Sequence, residues 1–193
     1  MVRQREFNED EVLEAAMLTF WEKGFEATSL SDLTARMGIQ RPSIYSAFGD
    51  KQQLFEAALR KYASKHAAEV RSKLQSQSSA KAALREYFRG LVAEEYEGGD
   101  GRGCFCINTM VELAPHDERF EILTREHQMY LATIFQETLE RGVQSGELGA
   151  QIQPRVLAQT FVIFLIGLTV MMKSRPERIF LDNAVATLLT LLD

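Results

Sequence analysis

The sequence contains only two cysteines, Cys104 and Cys106, one residue apart. Such a pair closes no long loop, which excludes the disulfide-stapled scaffold of a small secreted domain. The stretch from Met1 to Asp10 is mostly charged and has no apolar segment, so a signal peptide is not expected and the cytoplasm is the expected compartment. The longest apolar run, Phe161 to Met172, has 12 residues, flanked by Arg155, Gln159 and Lys173. It falls short of the roughly 20 residues that span a bilayer and reads as a buried helix. Proline occurs four times in 193 residues and β-branched runs are few. Long stretches of Ala, Leu, Glu and Arg favour helix instead, so the expected class is all-α. The three histidines, His66, His116 and His127, lie on separate segments. No Ser-His-Asp pattern, paired carboxylates, phosphate loop or His-rich metal motif stands out, so neither an enzyme nor a cofactor is expected.

What is present begins with charge. The net charge is −5, which in total speaks against nucleic acid, but its distribution does not. Leu33 to Lys61 carries five cations (Arg36, Arg41, Lys51, Arg60, Lys61) against Asp50 and Glu56. The acid sits earlier, at Glu6, Glu9, Asp10, Glu11 and Glu14.

Capping residues and glycines punctuate the chain. Asn8-x-x-Glu11 opens a helix that stops at Gly24, with Val12, Ala15, Ala16, Thr19 and Phe20 on one face. Ser29-x-x-Asp32 opens a short helix that ends at Gly38, and a tight turn leads to a third over Arg41 to Phe48. Two short helices joined by a glycine turn form the helix-turn-helix layout. Asp50-x-x-Gln53 caps a fourth helix reaching about Leu74, and Ser76 to Ser79 is a polar break. Further helices are expected over Ala80 to Glu97, Cys104 to Leu113, Asp117 to Ser145 and Pro154 to Met172. A last one follows a Ser174-x-x-Glu177 cap and reaches Leu192.

The run from Ala27 to Phe55, with Ala15-Ala16, Phe20 and Gly24-Phe25 before it, resembles the TetR-family DNA-binding domain almost position for position. Its combination of Gly-Phe, Thr28-Ser29, Tyr45 three residues before Phe48, and Asp50-Lys51 is specific. In helix-turn-helix proteins the second helix lies in the major groove with its N-terminal residues at base edges. By position those are Gln40, Arg41, Pro42 and Ser43, with Ser46 one turn later. Arg41 can bond guanine bidentately, Gln40 can pair with an adenine edge, and Pro42 can lean on a thymine methyl. The resemblance implies phosphate contacts from Thr28, Tyr45 and Lys51, and places Ser29 in the same DNA-binding set. Gln40 stands where a Ser or Thr cap is common, and a longer amide caps less well.

The resemblance also implies a homodimer through the last two helices and a small-molecule effector. Phe161, Phe164, Leu165 and Leu168 offer an apolar surface, and Ala184, Leu188 and Leu191 a matching stripe, as a four-helix interface requires. An apolar effector would lie among Phe88, Phe105, Met110, Met129, Tyr130 and Phe161, although such residues also build cores. Arg102-Gly-Cys-Phe-Cys-Ile-Asn108 places a thiol at a helix start, where the positive helix end favours thiolate. Some family members that respond to electrophiles look similar here, with a lysine ending the apolar helix. Lys173 matches, which makes Cys104, Asn108 and Lys173 sensor candidates. Two other readings stay open: Cys104 as inert packing, and metal sensing by Cys104, Cys106, His116 and His127. On a regular helix, positions two apart diverge, which disfavours a shared ion, so no metal site is expected.

The sequence therefore reads as an all-α chain with a helix-turn-helix domain over 1–55, a connecting helix and linker over 56–79, and an effector-binding and dimerisation domain over 80–193. The expected activity is repression from a pseudo-palindromic double-stranded DNA operator, with release by a small molecule or electrophile. The alternative is a helical thiol-sensing or small-molecule-binding protein without DNA regulation.

Overall fold

The computed structural model describes residues 7–193, so Glu6 and the first six positions of the expected 1–55 domain lie outside the described residues. Nine α-helices and no strand occur among them. They are α1 (Glu9–Lys23), α2 (Leu30–Met37), α3 (Arg41–Phe48), α4 (Lys51–Gln75), α5 (Ala80–Gly98), α6 (Phe105–Glu112), α7 (Glu118–Gln144), α8 (Pro154–Met172) and α9 (Arg178–Leu189), closed by a 3-10 turn over Thr190–Leu192.

Local chemistry sets most of these boundaries. Ser29 and Asp32 form a reciprocal capping box, as do Asp50 and Gln53, each satisfying two amides left over at a helix start. Gly38 ends α2 in the left-handed region at φ 68°, where a side chain costs energy. Gly24 ends α1 at φ 81°, and a Cβ there would press on the Glu112 carboxylate at 3.0 Å. One expected cap does not form. Ser174 donates back to Met171 O, Arg175 takes a positive φ of 47°, and α9 starts at Arg178 with no side-chain cap.

Two hydrophobic cores share α4. The lower one joins Phe20 of α1, Leu33, Ile44 and the N-terminal half of α4, through Tyr62, to Phe105 and Ile107 of α6 and Phe120 of α7. The upper one joins Val70 and Leu74 to Phe88, Phe135, Phe161 and Val185. The start of α6 thus packs with the helix-turn-helix as well as with α7 of the body. At the other end of α6, the Glu112 carboxylate accepts the amides of Phe25 and Glu26 at 3.1 and 3.0 Å, bracing the α1–α2 turn.

Several residues expected at a surface or in a pocket are instead core. Leu165, Leu168 and Leu188 are buried within the protomer, and half-buried Phe164 lies 5.9 Å from Phe88. The apolar residues that α8 and α9 leave exposed are their neighbours, including Ile163 (71% exposed), Val170, Ile179 and Phe180 (58%). Helical period explains the offset: the broader apolar face goes to the core, and the stripe on the opposite side remains outside. Helix α8 is 19 residues long and apolar enough to cross a membrane by length and composition, longer than its uninterrupted apolar run implied. In this fold its Phe161, Leu165 and Leu168 pack in the upper core.

Replacing Glu112 by Ala should leave two turn amides without their charged acceptor. At about 1–3 kcal/mol for such a loss, thermal unfolding should drop by roughly 5 °C. An unchanged midpoint in a calorimetric scan would show that the brace contributes nothing.

Candidate DNA interface and thiol cavity

Helix α3 is anchored from behind by Ile44, which is fully buried, while Gln40, Arg41, Pro42, Tyr45 and Ser46 face outward and Ser43 is half-exposed. Gln40 makes no side-chain cap bond, so its amide is free to meet another group. The Arg41 guanidinium donates to the neutral Ser31 hydroxyl at 2.8 Å. Lys51 opens α4 beside the Asp50 cap and holds its ammonium 4.3 Å above the Phe25 ring, a contact that orients the cation without neutralising it. Two further residues expected to contact DNA also carry hydrogen bonds within the protein. Thr28 is buried and its hydroxyl donates to Gly24 O at 2.5 Å. The Ser29 hydroxyl is spent on the capping box, accepting from the Asp32 amide and donating to its carboxylate. Both residues shape the turn between α1 and α2.

In the body, a cavity of about 230 Å³ lies where α1, α4, α5, α6, α7 and α8 converge. Trp21, Tyr62, His66, Tyr87, Cys104 and His127 line its polar side, and Leu131, Val162, Leu165 and Met172 its apolar side. Of the expected effector residues, Cys104 lines this cavity. Phe88, Phe105 and Phe161 are core, and Met110 is half-buried with its sulfur accepting from Gln128. Met129 is 65% exposed and Tyr130 faces outward under the Arg71 guanidinium. The Lys173 ammonium bonds Asn108 Oδ1 at 2.8 Å, and its stem lies over Gly103. Lys173 therefore steadies the start of α6 and is not among the groups that polarise the Cys104 sulfur.

Those groups come from elsewhere. Cys104 is the residue before α6, outside the regular helix, so the Cys106 side chain, which a continuous helix would turn away, reaches it. The Cys106 S–H, the His127 and His66 imidazoles and the Tyr62 hydroxyl together hold the Cys104 thiol well below its ordinary range, despite burial. The same bond and burial push Cys106 well above that range. Burial holds His66 below the usual imidazole value, so its neutral form is favoured. His66 Nδ1 stands 3.2 Å from His127 Nε2, and His66 stacks on Tyr62 with an interplanar angle of 9°. His116, once grouped with the cysteines, is exposed in the α6–α7 connection and takes no part. Tyr87 is buried, lines the cavity, and has no hydrogen-bond partner for its hydroxyl.

Sequence reading missed Trp21, Tyr62, His66 and Tyr87, which only the packing of distant helices brings together. Trp21 ties this cavity to the helix-turn-helix: its indole N–H donates to Gly103 O at 3.1 Å, one residue before Cys104. The unequal thiols give a direct check. Iodoacetamide at neutral pH should label Cys104 well before Cys106, as read by peptide mass mapping, whereas equal labelling would contradict the assigned polarity.

Two family models match the chain: bacterial regulatory proteins of the tetR family over residues 12–58, and the tetracyclin repressor-like C-terminal domain over 80–188. An uncharacterized HTH-type transcriptional regulator, YezE of Bacillus subtilis, is 31% identical over the full length of both chains. The HTH-type transcriptional repressor ComR of Escherichia coli is 31% identical over 87% of this chain and 80% of its own. Among solved structures, a cysteine mutant of the TetR family regulator CifR, complexed with 26-bp double-strand operator DNA, superposes with a TM-score of 0.84. It is 32% identical and covers 99% of this chain and 100% of its own. A polar α3 face braced by Ile44, carried by a helical body with an internal cavity, agrees with these matches: the chain belongs to the TetR family of helix-turn-helix transcriptional regulators.

Proposed function

We propose that the protein is a repressor that binds a pseudo-palindromic operator as a homodimer and lets go when an effector occupies the cavity around Cys104. The observation that carries this reading is the exposed edge of α3, with Arg41 bonded only to a neutral hydroxyl and Gln40 uncapped. Arg41, Gln40, Pro42, Ser43 and Ser46 meet base edges, while Tyr45 and Lys51 hold phosphates. The operator complex solved for CifR supports the same orientation here. The exposed apolar residues of α8 and α9, including Ile163, Val170, Ile179 and Phe180, form a four-helix contact with a second copy. Two copies joined this way set their reading helices roughly 34–36 Å apart, one turn of DNA.

Release follows from what α6 touches. Its first turn borders the cavity and its last residue holds the α1–α2 turn, so a molecule that shifts Cys104 also shifts Phe25 and Glu26. An effector favours whichever spacing of the reading helices the occupied cavity prefers, and repression ends when that spacing no longer fits DNA. The cavity suits a compact molecule with an apolar body and one polar group for the unpartnered Tyr87 hydroxyl. An alkylating electrophile fits too: the Cys104 sulfur uses a lone pair to form the S–C bond, and the leaving group departs with the bonding pair.

Fluorescence anisotropy with operator DNA tests the first half. Arg41→Ala should weaken binding by about 1–3 kcal/mol and relax one base preference, and Lys51→Ala should lower the salt slope by about one. Variants that bind like the parent would remove α3 as the reader. For the second half, iodoacetamide should release the parent protein from the operator but not Cys104→Ser. Equal release of both would move the effector site elsewhere.

A further inference from the structure

We propose that His66, Cys104 and His127 form a binding site for a single thiophilic metal ion of the Zn²⁺ class, with its remaining coordination position open to the cavity. Three helices that are far apart in sequence deliver these side chains: α4 brings His66, the start of α6 brings Cys104, and α7 brings His127. One ligand atom from each, two imidazole nitrogens and a sulfur, lie within 4.8 Å of one another. The two nitrogens are 3.2 Å apart, close to the roughly 3.3 Å edge of a tetrahedron with metal–nitrogen bonds of about 2.0–2.1 Å. A thiolate on such an ion takes a bond of about 2.3 Å, and the Cys104 sulfur already lies within 4.8 Å of both nitrogens.

The donor set points to the class of ion. Two imidazoles and one thiolate suit a borderline or soft cation, whereas calcium and magnesium require oxygen. Three protein ligands with one open position is the arrangement of a zinc site that takes a further ligand, not of a closed structural site. The open side faces the cavity, where Tyr87 carries its unpartnered hydroxyl. The inference rests on the reading of this cavity as the effector site, and it gives that site an inorganic ligand that competes with electrophiles for one sulfur.

The full-length protein, stripped of metal with a chelator, is titrated with Zn²⁺ against a chromogenic indicator and separately with Co²⁺. One ion per protomer is expected, with a thiolate-to-cobalt charge-transfer band that vanishes in Cys104→Ser. His127→Gln should weaken Zn²⁺ by roughly a hundredfold or more. Because variants at buried positions can misfold, the parent protein supplies an independent readout: Zn²⁺ should protect Cys104 from iodoacetamide. Binding with no cobalt–thiolate band and no protection, or Zn²⁺ held equally well by the Cys104→Ser variant, would overturn the site. Operator anisotropy separates this from the reading beneath it. If stoichiometric Zn²⁺ leaves operator affinity unchanged, the ion is not an effector although the site stands. If Zn²⁺ does not bind while alkylation still releases DNA, the ion site falls and the cavity remains the effector site.

Discussion

A single eight-residue helix, α6, makes contact with both halves of the regulator's task. The residue before it, Cys104, lines the cavity, and its last, Glu112, accepts the two amides that close the α1–α2 turn. Between them, Phe105 and Ile107 are buried with Phe55 and Phe20 in the core of the helix-turn-helix. Densely packed interiors do not deform smoothly, so a displacement at one end of so short a rod reaches the other. Two further ties run parallel to it. Trp21 of α1 bonds Gly103, and Gln52 of α4 bonds Asp117 at 2.5 Å. Side chains in direct contact thus run from the cavity to α1, the α1–α2 turn and the start of α4, so α4 need not be the one route for the proposed signal.

The lining of the cavity explains why its chemistry is unusual. Burying a thiol normally disfavours its charged form, and burying imidazoles favours their neutral form. Here the surrounding donors reverse the first tendency for Cys104, the Cys106 S–H foremost, while burial still holds His66 below the usual imidazole range. An electron-rich sulfur beside the His66 and His127 rings is suited both to nucleophilic attack and to metal ligation.

Much of the architecture was legible in the sequence because its signals are local. Ser29 with Asp32, Asp50 with Gln53, and Gly24 and Gly38 fix helix ends within a few residues, so the helix-turn-helix and its outward Arg41 could be placed by counting. The Ser174–Glu177 cap failed where Pro176 and the positive φ of Arg175 turn the chain before α9 can start. The cavity could not be read the same way. Period tells which residues share a face, but not which distant face they meet, and His66 and His127 stand 61 positions apart. Among the expected dimer residues, Leu165, Leu168 and Leu188 pack into the core for a related reason: they fit an apolar stripe, but α8 carries two, and tertiary packing decides which one turns inward, while Leu191 stays exposed.

The proposed coupling moves the cavity and the α1–α2 turn together through α6. Hydrogen–deuterium exchange of residues 24–28, before and after Cys104 is modified by iodoacetamide, tests this most directly. Faster exchange at the Phe25 and Glu26 amides is expected as Glu112 loosens its hold. Changes confined to the lining of the cavity, with these two amides exchanging as before, would contradict it.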